Sequence, residues 1–135
     1  VHYPINYGFV PQTFCLDGDA LDVMVINQDP AYPMSMMNAK VIGALKMTDG
    51  GDNDDKILAV HADDPQYKHI NDLEELKQFN PHLLQEIEQF FKIYKLLDNK
   101  KVDVHGWVGR ADAEKIVEKS IKLYNERKEE LMANC

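Results

Sequence analysis

The sequence predicts an α+β fold, with strands in the first half of the chain and helices in the second. Short runs of β-branched and apolar residues occur in the first half, and an apolar stripe with helical spacing begins at Asn80. No internal repeat and no linker divides the 135 residues. We therefore expect residues 1–135 to form a single domain, large enough to bury a core without disulfides.

Three strands are predicted in the first half, at residues 21–26, 40–47 and 56–61. The segment DGGDNDD at 49–55 separates the last two strands, and Asp and Gly both favour turns. These two strands are therefore expected to form an antiparallel hairpin. A further strand is predicted at 102–108. The residues of that strand expected to face the core are Val102, Val104 and Trp107.

Two helices are predicted in the second half. The first begins at Asn80, which suits an N-cap, and Pro81 suits the first helical position because its missing N–H donor is not needed there. The apolar stripe of this helix consists of Leu83, Leu84, Ile87, Phe90, Phe91 and Tyr94. The second helix is expected at about residues 112–130. Its inward side chains are expected to be Ile116, Val117, Ile121 and Tyr124.

Composition excludes two classes of function. The 15 basic and 23 acidic residues leave a formal charge of −8, which disfavours a broad nucleic-acid-binding surface. No apolar run approaches the ~20 residues that cross a bilayer, so a membrane-spanning protein is not expected. Cys15 and Cys135 match no metal-ligand spacing, and we interpret them as thiols of a cytoplasmic chain. The chain begins at Val1 in apparently structured sequence, so we expect residues to precede it.

Three aspartates lie within six residues at the start of the strand predicted at 21–26. In an extended segment Asp17 and Asp19 point the same way, because the side-chain period is two. Asp22 lies among apolar residues, where an ionised carboxylate is costly unless it is paired or bound to a metal. Taken alone, the cluster is explained equally well as a polar turn with a capping aspartate.

A second acidic cluster occupies the predicted turn at 49–55, and Lys56 follows it directly. A solvated hairpin tip could tolerate these charges, since neighbouring carboxylates in water repel by only about 0.7 kcal/mol at ~6 Å. However, two acidic clusters at strand ends of one small domain favour a site for Mg²⁺ or Mn²⁺, which prefer several carboxylate oxygens. The aspartates of this cluster are Asp49, Asp52, Asp54 and Asp55.

The pair Tyr94 and Lys95 lies near the end of the aromatic-rich helix. Taken alone, Lys95 is most simply a lysine whose stem covers apolar surface beside a core tyrosine. The five histidines have no metal-binding spacing, and the chain contains no phosphate-binding loop or nucleophile motif.

Five blocks of sequence resemble the family I soluble inorganic pyrophosphatases, and the residues of these blocks are more similar to the prokaryotic-type branch of that family. The first two blocks are YPINYGFVPQT at 3–13 and DGDALDVMV at 17–25. The others, GALKMTD at 43–49, DDKILAV at 54–60 and FFKIYK at 90–95, match in order and spacing. The resemblance covers nearly the whole chain.

The resemblance implies an OB-like β-barrel, closed or partly open, flanked by two C-terminal helices. It implies hydrolysis of pyrophosphate to two phosphates by a metal-activated water, with several Mg²⁺ ions as cofactors and Mn²⁺ or Zn²⁺ as possible substitutes. It also implies a cytoplasmic homo-oligomer, with a hexamer favoured.

Site residues follow from the resemblance position by position. The implied metal ligands are Asp17, Asp22, Asp49 and Asp54. The implied catalytic residues are Asp19, as general base or water-orienting group, and Tyr3. The implied substrate-binding residues are Tyr7, Lys56, Tyr94 and Lys95. Asp52 and Asp55 have no implied role, and we expect them only to solubilise the turn.

The sequence departs from the family in two ways. The family has further Lys, Glu and Arg site residues on strands upstream of the matched region, so we expect this chain to lack its N-terminal strands and to have open sheet edges. Ala20 replaces a proline common in the motif, which leaves the acidic segment less restrained.

Two alternatives stay open at this point. One is a non-catalytic module that binds divalent cations, although such a module does not need Lys56 or the Tyr94–Lys95 pair. The other is a related metal-dependent phosphohydrolase that acts on nucleotides.

Overall fold

The computed structural model describes residues 5–15, 19–27, 36–98 and 101–133, with the side chains of Lys95 and Asp98 left out. Within these ranges the chain forms six strands and three helices. The strands are β1 (Ile5–Val10), β2 (Leu21–Ile26), β3 (Ala39–Asp49), β4 (Asp52–Asn53), β5 (Lys56–His61) and β6 (Val102–Gly109). The helices are α1 (Leu73–Phe79), α2 (Leu83–Asp98) and α3 (Arg110–Ala133). None of the described helices is long and apolar enough to cross a membrane.

The six strands form one sheet in the order β1–β2–β5–β3, with β4 and β6 also paired to β3. Strands β2 and β5 are parallel, and the other pairs are antiparallel. Within the described residues β1 and β6 do not pair with each other, so the sheet does not close into a barrel. Of the two forms expected, closed or partly open, this chain therefore has an open sheet.

Helices cover both faces of the sheet, because alternate residues of each strand point to opposite sides. The first face carries Met24, Leu45 and Leu58, which are buried against α1, α2 and the segment before them. The second face carries residues such as Ala44 and Ile57, which pack against Ala113 of α3. The chain is thus a three-layer arrangement with a core on each side of the sheet.

The predicted strands are confirmed. Strands β2 and β5 have the expected bounds, whereas β3 and β6 run slightly further. A bulge in β6 leaves one residue between Val104 and Gly106 unpaired with β3, and Gly106 has a φ of +120°. This extra residue keeps Val104 and Trp107 on the same side, so both pack against the core with the buried Val102, as predicted. Strand β1 was not predicted.

The prediction for Asn80 and Pro81 is wrong. Asn80 ends α1, and its backbone N–H donates to the carbonyl oxygen of Leu76 at 2.7 Å. Helix α2 begins only at Leu83, after a turn that contains Pro81. The short helix α1 was missed, although Asp72 caps its N-terminus.

The apolar stripes are confirmed only in part. On α2 four members of the stripe are buried, but Phe90 and Tyr94 are 49% and 39% exposed. On α3 the inward-facing prediction is wrong for Ile121, which is 41% exposed, because Ala113 and Ser120 occupy the buried positions. The four buried members on α2 are Leu83, Leu84, Ile87 and Phe91.

Candidate active site

The first face of the sheet changes from apolar to charged at one end. Asp22 lies two residues before Met24, and Lys56 lies two residues before Leu58. Because side chains two apart on a strand point the same way, both charged groups lie on the face that carries the core. The local sequence pattern that buries the core therefore also directs these side chains to one place.

Lys56 joins carboxylates from the two acidic clusters. Its Nζ donates to Oδ2 of Asp22 at 2.7 Å and to Oδ1 of Asp54 at 2.9 Å. The Lys56 side chain is 14% exposed. Burial alone would lower the pKa of Lys56, but its hydrogen bonds and charge interactions with Asp22 and Asp54 outweigh that effect and raise the pKa. The lysine is therefore a permanent ammonium near neutral pH.

A cavity of about 320 Å³ adjoins this ion-pair network. Its polar wall carries Lys56 and carboxylates of both clusters, and its other wall is aromatic. Burial raises the pKa of Tyr7, and the charge of Lys56 offsets this only in part, so the phenol stays protonated and can donate a hydrogen bond. The lining side chains with polar groups are Tyr7, Asp22, Asp49, Asp54, Lys56 and Tyr94.

A second cavity of about 520 Å³ shares Asp22, Asp49, Asp54 and Lys56 with the first. Its lining adds Asp19, for which the family resemblance implies a role as general base or water-orienting group. The structure thus brings together seven of the ten predicted site residues around two adjoining hollows. These seven are Tyr7, Asp19, Asp22, Asp49, Asp54, Lys56 and Tyr94.

The other three predicted site residues are not described. Tyr3 and Asp17 lie outside the described residues. Lys95 follows Tyr94 on α2, but its side chain is also outside the described part.

The carboxylates suit a hard divalent cation by their chemistry, since Mg²⁺ prefers carboxylate oxygens. Among the described residues, no group of three or more acidic, histidine or cysteine side chains is close enough to hold an ion. Asp22 and Asp54, however, already converge on one cationic group, the Lys56 ammonium. Two carboxylates that already bind one positive charge are compatible with binding a metal ion at the same place.

Thr13 holds the base of the segment that carries Asp19, a role that sequence reasoning missed. Its hydroxyl donates to the carbonyl oxygen of Val10 at 2.6 Å and accepts from the N–H of Leu21 at 3.0 Å. Thr13 is only 4% exposed, so both bonds are shielded from water. The end of β1 and the start of β2 are thereby tied together at the point where β2 leads into Asp22.

The expectation that Asp55 only solubilises the turn is wrong. Asp55 is 6% exposed, and its carboxylate accepts from Lys46 Nζ at 2.6 Å and from the N–H of Met47 at 3.2 Å. Asp52 is exposed, as expected. An aspartate in a turn looks solvated from the sequence, and only the positions of Lys46 and Met47 reveal otherwise.

The chain is similar in sequence to known proteins. A family model described as inorganic pyrophosphatase matches residues 1–125. Soluble inorganic pyrophosphatase 2 of Chlamydomonas reinhardtii is 49% identical over 126 residues, which are 93% of this chain and 64% of that protein. The soluble inorganic pyrophosphatase of Zea mays is 48% identical over 124 residues, 92% of this chain and 56% of that protein. The chain therefore spans less than two thirds of these relatives.

A solved structure of an inorganic pyrophosphatase from Helicobacter pylori is similar as well. Its TM-score is 0.83 at 38% sequence identity, and the match covers 91% of this chain and 72% of that one. The likeness thus extends to the three-dimensional fold.

Proposed function

Because the chain belongs to the inorganic pyrophosphatase family, we propose that it hydrolyses inorganic pyrophosphate to two phosphates. The observation that carries this proposal is the lining of one cavity by carboxylates together with an ammonium and phenol groups. Pyrophosphate is a polyanion, and its hydrolysis requires charge neutralisation and a positioned water. Carboxylates alone would repel it, so the cationic and phenolic donors on the same cavity favour an anionic substrate.

We further propose that several Mg²⁺ ions act as cofactors, with Mn²⁺ or Zn²⁺ as substitutes. Asp22, Asp49 and Asp54 would hold them, together with Asp17. When bound, such ions neutralise phosphate charge and act as Lewis acids toward water and phosphoryl oxygens.

The remaining roles follow from the chemistry of each side chain. Lys56 keeps its positive charge at neutral pH, so it can form charge-assisted hydrogen bonds to a phosphate. Tyr7 and Tyr94 line the same cavity and can donate from their hydroxyl groups. The exposed Asp19 can accept a proton from the attacking water. We assign Lys95 to substrate binding and Tyr3 to catalysis on the motif match alone.

A cytoplasmic homo-oligomer, with a hexamer favoured, completes the proposal. Its support is the resemblance of the motifs to those of the prokaryotic-type branch. Light scattering coupled to size-exclusion chromatography tests the assembly, and a monomer across the working concentration range would contradict it.

Nucleotide polyphosphates are the second candidate substrate class. The rings of Phe90 and Tyr94 are stacked, with centroids 6.5 Å apart and planes 20° apart, and both lie on the cavity wall. Partly exposed aromatic rings of this kind can stack on a nucleobase. Pyrophosphate is preferred because the sequence match points to it.

Phosphate release from pyrophosphate, triphosphate and nucleoside triphosphates tests the proposal. We expect Mg²⁺-dependent release from pyrophosphate first, with loss of activity on chelation and recovery on addition of Mg²⁺. Faster release from a nucleotide favours the second candidate. Binding of Mg²⁺ with no release from any substrate would leave only a cation-binding module.

A further inference from the structure

Strand β3 changes its pairing partner between Leu45 and Thr48, opposite the end of the acidic turn. Leu45 pairs with Lys56 on β5, whereas Thr48 pairs with Asn53 on β4. Met47 lies between these two ladders. Met47 is hydrogen-bonded to the Asp54–Asp55 dipeptide instead of to a paired strand residue on that side. The N–H of Asp54 donates to the carbonyl oxygen of Met47 at 2.9 Å, and the N–H of Met47 donates to Oδ1 of Asp55 at 3.2 Å. The dipeptide Asp54–Asp55 therefore serves both backbone groups of Met47.

Asp55 is a buried carboxylate held from two sides. Its side chain is 2% exposed, and Lys46 Nζ lies 2.6 Å from Oδ2. A small cavity of about 110 Å³ separates this pair from Ser120 and Lys119 on α3. A buried charge is costly unless it is paired and hydrogen-bonded, and breaking such a pair leaves the other group uncompensated. The arrangement therefore resists movement of the turn.

Asp54 and Asp55 are neighbours in sequence but have different partners. Asp54 bonds to Lys56 on the cavity of the proposed active site, whereas Asp55 bonds to Lys46 beside α3. Since the two share a peptide bond, a shift of Asp55 moves the backbone of Asp54. The contacts of Asp55 thus restrain the backbone that carries the Asp54 carboxylate.

We propose that Asp55, with Lys46, is a positioning residue that holds the acidic turn so that Asp54 keeps its place at the cavity. This inference rests on the proposed function, because it assigns Asp55 an effect on metal binding through Asp54. Asp55 itself lines neither of the two cavities of the proposed active site.

Three variants of the purified full chain test the proposal. Asp55→Ala removes both contacts, Asp55→Asn keeps an oxygen for the N–H of Met47 but loses the ion pair, and Lys46→Met removes only the ammonium. We expect Asp55→Ala to weaken Mg²⁺ binding, measured by calorimetry, by about tenfold and to lower kcat/KM by up to about 100-fold, since small misplacements have effects of this size. The Mg²⁺ affinity and kcat/KM of the other two variants should lie between those of Asp55→Ala and the wild type. If Asp55→Ala does not fold, either of these variants tests the proposal in its place.

Two control variants separate positioning from simple destabilisation. Ile70→Val trims a side chain that is 1% exposed and lies away from the turn, so it should lower the melting temperature and leave Mg²⁺ affinity unchanged. Asp63→Asn removes one negative charge from an exposed position outside the site. If Asp55→Ala and Asp55→Asn bind Mg²⁺ as tightly as Ile70→Val does, the positioning role is overturned.

A double-mutant cycle gives the sharper readout. If Asp55 acts through Asp54, the loss of Mg²⁺ affinity caused by Asp55→Ala should largely disappear in an Asp54→Asn background. If the losses of Mg²⁺ affinity caused by Asp55→Ala and Asp54→Asn are fully additive, the positioning role is overturned and the proposed function is unaffected. A wild-type chain that neither binds Mg²⁺ nor releases phosphate overturns both.

Discussion

Asp22 and Lys56 are direct register partners on the parallel strands β2 and β5, and their side chains meet with Nζ 2.7 Å from Oδ2. The same ammonium lies 2.9 Å from Asp54, which belongs to the second acidic cluster. One lysine thus connects two aspartates, one from each cluster, that are more than thirty residues apart in the sequence. Charge balance at the site depends on this three-residue contact.

Asp22→Asn should abolish most of the Mg²⁺-dependent phosphate release. The amide keeps the shape of the side chain but removes a charge that bonds Lys56 and that we assign to metal binding. We expect a fall in kcat/KM of roughly 100-fold to 1,000-fold, the size seen when one electrostatic contributor is removed. A steady-state assay checks this, with Asp63→Asn as the control. Equal activity of the two variants would contradict the assignment of Asp22.

Lys56→Met should separate metal binding from substrate binding. Removal of the ammonium ends its competition with a metal ion for Asp22 and Asp54, so Mg²⁺ affinity should rise by about tenfold, or ~1.4 kcal/mol. The KM for pyrophosphate should rise as well, because the ammonium that donates hydrogen bonds to the phosphate is lost. Calorimetry and kinetics measure the two effects, and the exposed Lys77→Met controls for net charge. Weaker Mg²⁺ binding by Lys56→Met would show that the lysine supports the metal site instead.

Alkaline pH should remove the stabilising contribution of Lys56. Burial tends to lower its pKa, but Asp22 and Asp54 raise it above the ordinary value of 10.5. A raised pKa in the folded state gives stability that is present below the unfolded pKa and is lost as the pH rises through the folded pKa. The free energy of unfolding of the wild type relative to that of Lys56→Met should therefore change little between neutral pH and pH 10.5 and should fall at higher pH. Urea unfolding at a series of pH values measures this difference. If the difference is already lost near neutral pH, the raised pKa of Lys56 is contradicted.

Thr13→Val should loosen the connection between β1 and β2. Valine has nearly the shape of threonine but cannot accept the N–H of Leu21, and an unsatisfied buried donor costs about 1–3 kcal/mol. We expect a loss of stability in that range in urea unfolding, with lower phosphate release because Asp19 lies on the released segment. Thr13→Ser keeps the hydroxyl and should remain close to wild type. If Thr13→Ser loses as much stability as Thr13→Val, the role assigned to the hydroxyl is contradicted.

Much of the sheet could be predicted because its strands have strong local signals. Strand β2 is a compact apolar run, and the acidic turn before β5 is rich in Asp and Gly. Helix α1 has only seven residues, too few for a clear periodicity, and Asn80 suits the end of one helix as well as the start of another. Local preference alone could not decide between these roles.

The candidate site could be predicted as two acidic clusters but not as one surface. Asp22 meets Lys56 through the pairing of strands that are distant in sequence, and no local pattern specifies that register. The same limit applies to Asp55, which has the composition of a solvated turn residue yet is buried by Lys46 and Met47. Identification of the family depended on the match of whole blocks of sequence and not on the predicted strands and helices.

The alternation along β5 makes the length of this strand critical. Lys56 and Leu58 share one side of the sheet, and Ile57 lies on the other. Deleting one residue between Asp54 and Leu58 would invert that pattern, turning an ammonium toward α3 and an aliphatic side chain toward the cavity. An insertion or deletion here therefore damages chemistry and folding at once, whereas point substitutions can affect either one separately.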